Sequence, residues 1–142
     1  MPYLLQAAFW VGVVGTVAAA PLLCILRMER SYLSGAAFQW SAPFVLFVTA
    51  ALTFMLAYAM LPTSRLRARI AGVLAGAITF FSFSVVAWFV MNAGHGPLTL
   101  FPGALQSFVV VFVLAGWIPL GSGWFAGWLV SKLPDTPPAE AA

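Results

Sequence analysis

The sequence predicts an all-α integral membrane protein, a bundle of four transmembrane helices with the fourth one kinked. Three observations predict it. The 142 residues are 63% hydrophobic and 6% charged, with a mean hydropathy of +1.05, whereas about a quarter of the residues of soluble domains are charged. The charges divide the chain into uncharged runs at 1–26, 31–64 and 70–131, each longer than the roughly 20 residues that cross a bilayer as a helix. The last run holds two passes, because Asn92-Ala93-Gly94-His95-Gly96-Pro97 and Phe101-Pro102-Gly103 are dense helix punctuation that no span crosses.

The first span is expected over residues 3–26. Ala18-Ala19-Ala20 resembles a signal-peptidase site, but no Lys or Arg precedes the apolar run, and the run is longer than a signal sequence needs. It is therefore read as a retained span. Ala8, Gly12, Gly15, Thr16 and Ala19 fall on one side of it at helical spacing, and small residues let a neighbouring helix approach closely. Arg27-Met28-Glu29-Arg30 closes the span, and the polar connection to Trp40 is expected at the surface, with 31–40 as a short interfacial segment.

The second span is expected over 43–61, with Pro43 in the first turn, where its missing N–H costs nothing, and Pro62 as its stop. Thr49 and Thr53, one turn apart, can return their hydroxyls to helix carbonyls. The loop that follows carries Arg65, Arg67 and Arg69, three of the six basic residues. Short basic loops stay cytoplasmic, because arginine is costly to move across hydrocarbon. With Lys132, this side holds four basic residues against Arg27 and Arg30 on the other, so both termini are expected in the cytoplasm.

The third span, 66–91, aligns Ala68, Gly72, Gly76, Thr79 and Phe83 in a narrow stripe, and Gly72-xxx-Gly76 within it is a helix-contact pattern expected to pack inside the molecule. The fourth, 104–130, is interrupted by Pro119-Leu120-Gly121-Ser122-Gly123, where a kink is expected. Trp117, Trp124 and Trp128 share one face within about 20°, with Gln106 on it too, while Gly116, Gly123 and Gly127 recur about 100° away. This pattern predicts an aromatic ridge beside a shallow groove, and so a contact surface for a partner or a second copy. Residues 1–132 form the single domain, and 133–142 a short, mobile cytoplasmic tail.

Reactive chemistry is sparse. The acidic residues Glu29, Asp135 and Glu140 all lie outside the spans, whereas ion or proton transport leaves ionisable groups inside them. A single cysteine, Cys24, forms no internal disulfide and no metal site alone. The net charge of +3 sits mainly in one membrane-flanking loop, which argues topology and not nucleic acid. His95 is the one side chain suited to a metal, haem, chlorin or proton, against the plainer reading of a loop histidine at the membrane surface. Trp117, expected near mid-membrane, is not explained by an interfacial belt; the alternatives are packing and contact with a flat cofactor such as a quinone, carotenoid or chlorophyll.

The function expected is that of a non-catalytic membrane subunit or accessory protein, not an enzyme, with the lipid bilayer and other membrane subunits or copies of itself as partners. The alternatives are a small oligomeric transporter or channel, with backbone carbonyls near Pro119 and Gly121 as ligands, and a pigment- or quinone-contacting subunit of an electron-transfer complex. The excess of Ala, Gly and Arg over Lys points to a bacterial inner membrane.

Overall fold

The computed structural model describes residues 2–28, 36–91, 106, 109, 113, 116–134 and 136–138. His95 and the 92–103 turn lie outside the described residues, as do the side chains of Cys24, Trp40 and Trp88. The described chain is all-α, with four helices and no strand among the described residues: α1 Pro2–Met28, α2 Ala36–Met60, α3 Arg67–Met91 and α4 Trp117–Val130. Two stretches, Pro2–Ala20 in α1 and Ser41–Met60 in α2, are long and apolar enough to cross a membrane, and only 22% of each is buried inside the protein.

The helices form a ring in which α1 packs on α2 and α4, and α3 packs on α2 and α4. Neighbours run antiparallel. Tyr3 at the start of α1 meets Tyr58 near the end of α2, with ring centroids 6.2 Å apart, and Phe9 meets Phe47 at 5.7 Å. The Tyr3 hydroxyl donates to the Val130 carbonyl at the end of α4 over 3.3 Å.

The interior is built from small residues and the exterior from large apolar ones. Ala7, Ala8, Ala68, Ala71, Ala75 and Ala126 are buried, while Leu5, Phe44, Leu52, Leu56, Met60 and Trp117 are exposed. A soluble protein has the reverse arrangement, because burying large apolar side chains is what stabilises it in water. Here the closest contacts are between backbones, a form of packing that small residues permit. Larger side chains are buried as well, among them Leu46, Tyr58 and the fully buried Phe54, which lies 5.7 Å from the Tyr58 ring.

Two boundaries differ from the sequence reading. α2 starts at Ala36, so Pro43 lies inside the helix instead of opening it. Proline removes one helix hydrogen bond, a loss that apolar helices tolerate when the surroundings satisfy the freed carbonyl. The interfacial segment expected over 31–40 is accordingly replaced, from Ala36 onward, by the first turns of α2. In α4, residues 119–123 form no break: the helix is continuous from Trp117 to Val130, and Pro119 falls in its first turn, where the absent N–H would lack a partner anyway. Before Gly116 the described positions Gln106, Val109 and Val113 are each helical.

The tail begins by folding back. Thr136 donates its hydroxyl to the Leu133 carbonyl, and Leu133 packs on the buried cluster of the bundle. Ser131 closes α4 by donating to the Trp128 carbonyl at 2.6 Å.

Candidate functional site

The tightest contact in the fold is the seam between α3 and α4. A Cβ placed on Gly72 would overlap the Gly123 carbonyl oxygen, and one on Gly76 would overlap the carbonyl oxygen of Pro119. Reciprocally, a Cβ on Gly123 would strike the Gly72 carbonyl, and one on Gly127 the Ala68 carbonyl. The two backbones touch because each helix presents glycine once per turn. Gly72, Gly76, Gly123 and Gly127 therefore pack against each other within one chain. Of the groove anticipated beside the aromatic ridge, the part at Gly123 and Gly127 is already filled by α3 and is not open to a partner.

The ridge itself points outward. Trp117, Trp124 and Trp128 are 76%, 45% and 41% exposed, because the glycines on the inner side turn the large side chains away from the bundle. Trp128 stacks on Phe125 at 5.8 Å, and the Trp124 ring lies 5.3 Å from the Arg69 guanidinium carbon. Gln106 is exposed as well.

A cavity of about 220 Å³ opens between all four helices. Its walls are mostly glycine, alanine and phenylalanine, with Thr79 and Ser122 as the polar side chains among the described lining residues. Ser122 donates to the Pro119 carbonyl at 3.2 Å. The Thr79 hydroxyl is buried without a hydrogen-bond partner, and it is closed off from the cavity space as well as from solvent. This space suits apolar matter and repels water, which needs two to four polar partners to settle. No group of three metal-ligating side chains occurs among the described residues, and Trp117 is not in the cavity wall.

The third feature is the end of the bundle where α3 begins. Residues 62–66 are exposed there. Arg67 donates from Nε to the Tyr58 carbonyl at 2.7 Å, and its guanidinium carbon lies 4.1 Å from the centre of the Tyr58 ring. Arg69 leans the opposite way, onto Trp124 of α4, with its Nε buried and unpartnered. Arg65, Arg67, Arg69 and Lys132 thus gather at the end that also holds Tyr3 and Val130.

Sequence reasoning missed the cluster of Tyr3, Tyr58 and Arg67, and it missed the cavity. The cluster leaves one sequence signal, a tyrosine one α2 turn before a proline stop with arginines just beyond it. The cavity leaves none, since it depends on how four small stripes converge. No protein-family model, curated protein or solved structure matches the chain.

Proposed function

We propose that the protein is a four-span membrane subunit without catalytic chemistry of its own, which docks into a larger membrane assembly through the outer face of α4. The observation that carries this reading is Trp117, 76% exposed on a helix whose inner face is already committed to α3. An indole N–H surrounded by hydrocarbon has no acceptor, and a buried donor without one is costly. A protein neighbour supplies both an acceptor and a packing surface.

The membrane part of the reading is supported by the small interior and large apolar exterior, and by the two apolar stretches in α1 and α2. A cytoplasmic position for the Arg65 end follows from the basic-loop rule, supported by the gathering of Arg65, Arg67, Arg69 and Lys132 at one end. Bacterial inner membrane is the location proposed.

The test is purification of the full chain in mild detergent. A stoichiometric larger partner is expected, with crosslinks to it from cysteines placed at Val113, Trp117 or Leu120 in a Cys24→Ala background. Trp117→Ala is expected to lower the yield of the complex without unfolding the chain. A lone homo-oligomer that moves solute across vesicles would replace this reading with transport.

A further inference from the structure

We propose that the cavity between the four helices binds one hydrocarbon chain, the acyl tail of a lipid, which enters sideways between α1 and α4 past Ile118. The proposal rests on the membrane reading above and adds a ligand to it.

Two sides of the space are shut. At the basic end Phe54 and Val130 are fully buried, and the Tyr3 hydroxyl ties α1 to α4 through the Val130 carbonyl. Along the seam, the backbones of α3 and α4 touch at Gly72 and Gly76. Exposure rises toward a third side. Leu46, Ala50 and Ala126 in the wall are buried, whereas Ile118, also in the wall, is 55% exposed. On a helix of 100° per residue, Ile118 lies about 80° from the buried Ala126 and about 140° from Gly123, which faces α3. It therefore stands on the flank of α4 turned away from α3, toward α1. There α1 contributes Gly15, Ala18 and Ala19 to the wall, and side chains this small leave a gap between the two helices.

Shape and chemistry choose the occupant. Along α3 the wall runs from Gly72 to Phe83, about 16 Å at roughly 1.5 Å per residue. A volume of about 220 Å³ spread over that length is long and narrow. An apolar cavity of about 150 Å³ already takes up benzene, so the volume is ample, and the elongation favours an extended chain over a compact ring. Nearly all of the wall surface is apolar. Ser122 spends its hydroxyl hydrogen on the Pro119 carbonyl, and the Thr79 hydroxyl is closed off. A charged headgroup would lose its hydration inside and gain little in exchange, so the headgroup stays outside and the tail alone enters. Binding sites between the helices of a bundle are commonly apolar in this way.

The experiment places the full chain in phosphatidylcholine vesicles that carry, in separate arms, a phosphatidylcholine or a free fatty acid with a photoactivatable diazirine midway along its chain. Adducts are mapped to residues by mass spectrometry after illumination. Surrounding lipid labels exposed residues such as Leu52 and Leu56, whereas only a chain inside the bundle reaches the buried Leu46, Ala50 or Ala126. Inner adducts are expected, and the arm that gives them shows whether the chain arrives attached to a headgroup phosphate. Ala18→Phe is expected to abolish them, because helical side chains lean toward the N-terminus of their helix and the ring would cover the mouth. Val17→Phe, next to it in sequence but at an exposed position, is expected to keep them. Outer adducts without inner ones in both arms overturn the proposal. So do inner adducts that persist in Ala18→Phe, or that vanish equally in Val17→Phe. If Ala18→Phe fails to fold, Ser122→Leu narrows the same mouth from α4 and must reduce the inner adducts. A chain that takes no outer adducts either is not in the bilayer, which would instead sink the membrane reading.

Discussion

Replacing Gly72 or Gly76 with alanine adds a single methyl group where the α3 and α4 backbones touch. At Gly72 the new carbon would overlap the Gly123 carbonyl oxygen and lie 3.1 Å from the Gly127 nitrogen; at Gly76 it would overlap the Pro119 carbonyl oxygen. These are main-chain atoms fixed in the hydrogen-bond ladder of α4, so relief requires the helices to separate. Overpacking of this kind costs about 1 to 3 kcal/mol. Any glycine-to-alanine change in a helix also gains up to about 1 kcal/mol of helix propensity, so the raw loss understates the clash. Gly121, in the same helix α4, has nothing within 4 Å of its would-be Cβ. Comparing Gly72→Ala with Gly121→Ala cancels the propensity gain and leaves the clash, a difference of about 1 to 3 kcal/mol. Gly12→Ala calibrates the intermediate case, since its carbon meets the Phe47 ring at 2.7 Å and a ring edge can swing aside. The assay is loss of helicity in detergent micelles titrated with a denaturing surfactant. If Gly72→Ala and Gly76→Ala unfold at the same point as Gly121→Ala, the two backbones are not in contact and the seam is wrong.

Reporter fusions test the orientation: a phosphatase active only outside the cytoplasm is expected to work when inserted beside His95 and to stay silent after Ala142, and the reverse pattern inverts the topology. Tyr3→Phe removes the donor to the Val130 carbonyl, 3.3 Å away, and is expected to cost about 0.5 to 1.5 kcal/mol in the same micelle titration; an unchanged transition would mean that α1 and α4 are not joined there.

How much of this was legible depends on the range over which each signal acts. The positions of the helices were largely readable, because apolar runs and Gly/Pro punctuation are local. The start of α2 was not. Pro43 looked like a first-turn residue on local grounds, but the helix extends back to Ala36, and nothing nearby in sequence reveals that a helix will absorb a missing hydrogen bond. The stripe through Gly72 and Gly76 could be seen as a contact surface, yet small-xxx-small spacing does not say which helix it meets. That answer needed the antiparallel register that brings residue 72 to 123 and 76 to 119. Leu133 was read as part of a mobile tail for a similar reason. Its neighbours in sequence are polar or proline, while the buried cluster it packs on comes from other helices.

The same seam explains why one tryptophan carries the functional argument and the other two do not. Closing α3 onto Gly123 and Gly127 leaves the large side chains of α4 only the outer surface, so outward-facing tryptophans are a consequence of the fold before they are a sign of a partner. Trp124 has an internal use, since its ring supports Arg69. Trp128 stacks on Phe125 and accepts the Ser131 hydroxyl at its carbonyl, which places it in the closing turn of the helix. Removing either disturbs packing within the chain, so a lost complex would not distinguish a contact from a weakened fold. Trp117 has no ring contact and no side-chain hydrogen bond among the described residues, and it is the most exposed of the three. Its truncation removes surface that this chain does not use for itself. A complex that survives Trp117→Ala therefore argues against α4 as the docking face more directly than any result at Trp124 or Trp128 can argue for it.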